Sequence, residues 1–175
     1  MIEPDDCLVV VIDMQERLVP VVAENESLIQ SVVKLLKFSK LMNIPVLFTE
    51  QDKLGSTIKE VRDVYDVKPV SKIHFNSFLC PEFEAEVEKS KKRTLVIAGV
   101  ESHICVLQTA LHALQSFSVH VLYDAVSSRS LFHKNIAIER MRKAGCVIST
   151  TEIFMFELLK RAGTQIFKEA LSLIK

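Results

Sequence analysis

The chain has 175 residues, 49% of them apolar, and its 22 basic side chains balance 22 acidic ones. That length suits one domain, expected over residues 1–175, which can bury roughly 70% of its unfolded surface, and the apolar content excludes a disordered chain. A formal net charge of zero removes the electrostatic case for a nucleic-acid or anionic-membrane partner, and the apolar runs fall far short of the ~18 residues of a membrane span.

The N-terminal "MIEPDDCLVVVIDMQ" carries early acids and no basic stretch, so a secretory or transit signal is not expected. The cytoplasm is the default compartment, with a mitochondrial location left open. Residues 7–13, "CLVVVID", form a continuous apolar, β-branched run that predicts a strand buried on both faces. A helical stripe with Leu28, Val32, Leu35 and Leu36 follows and stops at Asn43, before Pro45. "PVLFTE" (45–50) reads as a second strand. "VKPVSKI" (67–73) holds a short third, placed at an edge by Pro69. A charged helix over 82–90 leads to the strand "TLVIAGV" (94–100). Ile104, Leu107, Leu111 and Leu114 then recur at helical spacing. "VHVLYDA" (119–125), a helix closed by Gly145, the strand "CVIST" (146–150) and further helices complete the chain.

This alternation predicts an α/β fold: three α/β/α layers around a six-stranded, mainly parallel sheet of order 3-2-1-4-5-6. Ligands in such sheets gather beyond the strand C-termini, where the order reverses. Those positions are Asp13, Glu50, the segment after Gly99, and Asp124. The four glycines, Gly55, Gly99, Gly145 and Gly163, cannot compose a GxGxxG or P-loop signature, so a nucleotide site is not expected. The cysteines, Cys7, Cys80, Cys105 and Cys146, form no CxxC pair and no zinc spacing; they read as reduced thiols.

Attention therefore falls on "AGVESHICVLQTALHAL", residues 98–114. With Ser102 as N-cap, Cys105 sits at the third helical position, where free amides and the helix dipole favour a thiolate and an oxyanion. The bland alternative is a small core thiol. In the expected strand order, Asp13 faces Cys105 across the switch point.

"VVVIDMQ", "SKIHFNSF" and "VIAGVESHICVLQTAL" together resemble the three blocks of the isochorismatase-like cysteine hydrolases. "LFTEQDK", "DAVSSRS" and "RMRKAGCVISTTE" are similar to the branch of isochorismatase-domain-containing proteins. The resemblance implies an Asp-Lys-Cys triad at Asp13, Lys72 and Cys105. In it the carboxylate accepts the thiol proton, the ammonium supports both, and the sulfur attacks an amide carbonyl. It further implies a cis Val100–Glu101 peptide and an oxyanion hole from the backbone of Glu101 and Cys105. Gln15, Glu50, Gln51, Phe78 and His103 are candidates for lining the substrate. Related nicotinamidases bind a metal through histidines after strand two; "TEQDKLGST" has none, so no metal and no cofactor is expected. Arg129 is open to an anion-binding or a helix-start role.

The leading expectation is a hydrolase of a small-molecule amide. A catalytically idle binding or scaffold protein and a redox-sensing thiol protein are the alternatives. The apolar C-terminal segment "FMFELLKRAGTQIFKEALSLIK" can cover its own sheet or a partner's, so self-association as a dimer or larger is expected.

Overall fold

The computed structural model describes residues 2–174. Six strands, β1 (Cys7–Ile12), β2 (Val46–Gln51), β3 (Val70–Lys72), β4 (Thr94–Val100), β5 (Ser118–Ser127) and β6 (Val147–Ser149), form one sheet. Its order is β3-β2-β1-β4-β5-β6, and every pairing is parallel. The expected order is thus the observed one, and the sheet is parallel throughout rather than mainly so. Among the described residues, five α-helices lie between strands, α1 (Asn25–Leu41), α2 (Lys59–Arg62), α3 (Pro81–Ser90), α4 (Leu107–Ala113) and α5 (Leu131–Ala144), and two follow the last strand, α6 (Thr151–Leu159) and α7 (Gln165–Ile174).

Period-two alternation in the central strands sorts the core into two halves. Val9 and Val11 of β1 join Leu28, Val32 and Leu36 of α1 and Phe154, Met155 and Leu158 of α6. Leu8, Val10 and Ile12 join Phe83 and Val87 of α3, Ala110 of α4 and Ile138 and Met141 of α5. β1 and β4 are buried along their whole length, as continuous apolar runs require. β5 extends to Ser127, two residues beyond its expected end, because a register irregularity between Ile97 and Gly99 lets the strand resume pairing with Val100. α6 and α7 turn Phe154, Met155, Leu158, Leu159 and Ala170 onto this chain's own core, while Ile153, Phe156 and Ile166 stay exposed.

One departure from expectation bears on the site. Ser102 is not an N-cap. Residues Ser102–Val106 form a π turn ahead of α4, in which the Val106 amide donates to the Glu101 carbonyl (3.2 Å), and no side chain caps it. Ser102 is fully buried and its hydroxyl has no partner among the described residues. The sequence alone does not distinguish a π from an α start, since both place Cys105 in the first turn.

Candidate active site

Three strand ends converge where the sheet order reverses. β1 delivers Asp13, which follows Ile12 with a left-handed φ of 49°. β4 delivers the turn 101–105, and β3, at the sheet edge, delivers Lys72. β4 approaches β1 so closely that a Cβ on Gly99 (φ +114°) would lie 2.0 Å from the Ile12 carbonyl oxygen. Only glycine fits where the two strands frame the site.

Asp13, Lys72 and Cys105 are 0%, 2% and 5% exposed. Lys72 Nζ donates to Asp13 Oδ2 at 2.8 Å, and both side chains are wholly buried. Two residues of β2 complete the pair. Thr49 Oγ1 donates to Asp13 Oδ1 at 2.7 Å, and Gln51 Oε1 accepts from Lys72 Nζ at 2.8 Å. Each follows from register: Thr49 pairs with Ile12, beside Asp13, and Gln51 pairs with Lys72. A buried ion pair is tolerable only when its remaining polar valences are met, as here. Thr49 carries no motif signal; a polar residue closing the apolar run of β2 next to Asp13 is the one cue available.

Cys105 lies within the electrostatic reach of this pair. Burial pushes its thiol up from 9.0 to about 12; the Asp13 charge adds to the rise and Lys72 opposes it. Desolvation outweighs the position at the helix start, so the easier ionisation expected from that position is not found. Burial and the Asp13 charge thus both favour the protonated thiol.

The turn carrying Cys105 is tethered to the loop between β5 and α5. The Glu101 carboxylate accepts from the Arg129 backbone amide (3.0 Å) and from Arg129 Nε (3.1 Å). His103 Nδ1 meets Ser128 Oγ at 2.9 Å, and its ring stacks on His133 with centroids 4.8 Å apart. Burial lowers the His103 pKa. Arg129 is thus tied to Glu101 just ahead of α5, through its backbone amide and Nε, with its exposed terminal guanidinium nitrogens left over. The Val100–Glu101 peptide is cis.

The expected substrate-lining residues divide. Gln51 supports Lys72. Glu50 Oε1 accepts the amide and hydroxyl of Thr57. The other two are packed into the protein. Gln15 is wholly buried; its Nε2 donates to the Gln51 and Gly55 carbonyls and its Oε1 accepts from the Gln51 amide, so it locks the loop after β2. Phe78 is buried among Phe83, Phe117 and the stacked ring of His112, as core. Among the described residues, no three His, Cys, Asp or Glu side chains converge in a metal-binding arrangement. No helix there is long and apolar enough to cross a membrane.

A neutral thiol beside a carboxylate and an ammonium can lose its proton to the carboxylate while attacking an electrophile. Comparison with known proteins places this geometry in context. Residues 7–153 match the family model described as the isochorismatase domain. The chain is 35% identical to a secreted isochorismatase effector, Isc1, of Phytophthora sojae, over 98% of this chain and 86% of that protein. It is 33% identical to isochorismatase domain-containing protein 2A of Mus musculus, over 98% and 84%. A solved structure described as the MAR1 ribonuclease of Caenorhabditis elegans superposes with a TM-score of 0.91 at 29% identity, covering 99% of this chain and 91% of that one.

Proposed function

This chain belongs to the isochorismatase family, and we propose that within it the protein is a cysteine-dependent hydrolase of the C–N bond of a small-molecule amide. The observation that carries the reading is the wholly buried Lys72–Asp13 pair, 2.8 Å apart, set against the Cys105 thiol. Asp13 takes the thiol proton as the sulfur attacks the amide carbon, and backbone amides at Glu101 and Cys105 receive the oxyanion. The tetrahedral adduct collapses to a thioester. The leaving amine departs with the proton held by Asp13. Water then attacks the thioester, giving its proton to Asp13; the carboxylic acid leaves and the thiol is restored. Lys72 holds the Asp13 carboxylate in place between these transfers. No step uses a metal: the stretch after β2 lacks histidine, and turnover is expected to withstand chelators. The exposed Ile153, Phe156 and Ile166 support self-association through the α6–α7 face.

The test is a screen of small primary amides with acid-quenched mass spectrometry of the intact protein. The expected result is an acyl adduct on Cys105 that accumulates and decays with product release, absent in Cys105→Ala. Hydrolysis that survives Cys105→Ala would overturn the reading. If no amide is turned over or captured, the idle binding protein takes its place.

A further inference from the structure

A second cavity, unrelated to the thiol, lies between the first turns of α1 and α5 at the C-terminal end of β5. It encloses about 150 Å³ and is lined by Glu24, Ser27, Ser31, Asp124, Ser127 and Lys134, among others. A molecule of liquid water occupies about 30 Å³, so the space suits about five waters or a ligand of five or six heavy atoms.

Lys134 makes the cavity unusual. It is 3% exposed, yet among the described residues its ammonium makes no hydrogen bond. Its closest carboxylate oxygen is Glu24 Oε2 at 3.8 Å, and it rests 4.2 Å from the centre of the Tyr123 ring. Burial lowers its pKa, with Glu24 and Asp124 opposing. Held by this long ion pair and the ring face alone, the ammonium keeps donors available to a ligand in the cavity. The other walls offer the opposite chemistry. Ser127 Oγ already donates to the Ala23 carbonyl, and Ser27 Oγ to that of Glu24, so both present only lone pairs inward. Asp124 holds the Thr151 amide with one oxygen, leaving the other as an acceptor. One region of the cavity therefore demands acceptors and another demands donors.

We propose that this cavity binds a compact 2-amino carboxylate zwitterion, of glycine to alanine size, with its carboxylate on Lys134 and its ammonium toward Asp124 and Glu24. A plain anion meets two carboxylates against a single lysine, and a plain cation adds nothing that the donors of Lys134 can bind. The zwitterion answers both demands without adding net charge. The inference is independent of any reaction at Cys105.

Saturation-transfer NMR tests it, with glycine, acetate and methylamine as probes on wild type, Lys134→Met and Ser31→Leu. The second variant fills the cavity from α1 and leaves the lysine in place, so it decides the matter if Lys134→Met fails to fold. Glycine is expected to bind wild type at least about tenfold more tightly than either singly charged probe, and to lose at least that factor in a folded variant. The proposal is overturned if glycine does not bind, if acetate or methylamine matches it, or if binding persists in either variant.

Discussion

The ionisation of Cys105 separates two roles for Asp13. Its charge raises the thiol pKa, whereas its proposed chemical role is to accept the thiol proton. Asp13→Asn removes both. The thiol is then expected to ionise at lower pH than in wild type, read by the pH dependence of alkylation, while amide hydrolysis falls by a factor on the order of 10²–10⁴. A variant with a more acidic thiol and undiminished turnover would remove Asp13 from the base role. Lys72→Met should act in the other direction on the thiol, since the ammonium is what lowers it. At this scale the sequence is partly legible. Asp13 and Cys105 both follow buried strands that are neighbours in the expected order, so topology alone brings them together. Lys72 lies in a short edge segment with no local signal, and only the family resemblance singles it out. The roles of Thr49 and Gln51 depend on register, which hydrophobic pattern sets only to within a residue or two. Gln15 and Phe78 make a related point: proximity in sequence to a site does not reveal whether a side chain is already engaged by hydrogen bonds or packing.

At the scale of elements, the site depends on how closely β1 and β4 run. Gly99→Ala would bring a Cβ against the Ile12 backbone, where no flexible side chain can yield. Together with the positive φ this should cost at least about 3 kcal/mol, measured as a lowered urea midpoint. Gly145→Ala is the control: an added Cβ meets nothing nearer than 4.0 Å, so it carries only the backbone strain of its own positive φ. The strands and long helices were readable because buried parallel strands are continuous apolar runs and amphipathic helices repeat every three to four residues. The π turn and the extension of β5 past its bulge have no such periodic signature.

For the whole molecule, the free thiols make stability depend on alkali. Cys7 and Cys105 are pushed up from 9.0 to about 12, and Cys146 from 9.0 to about 11, in each case chiefly by burial. Between pH 9 and 11 the unfolded chain has lost thiol protons that the folded chain retains, so stability falls as pH rises. Each thiol contributes at most about 1.4 kcal/mol per pH unit within that window, and less where solvent screens it. Urea melts at pH 8, 9 and 10 should show the decline, and Cys146→Ala should flatten it. A melt independent of pH over this range would contradict the burial of these thiols.

The ammonium of the buried pair rides on β3, a strand of three residues with a single neighbouring strand. β1 and β4, by contrast, are held on both sides. Local openings begin where few contacts hold a segment. The backbone amides of β3 should therefore exchange with deuterium well before those of β1 and β4. Each such excursion withdraws the cation from Asp13 while the rest of the sheet stays shut. Inactivation by mild denaturant should then precede the loss of circular dichroism, as a fraying event rather than an unfolding one.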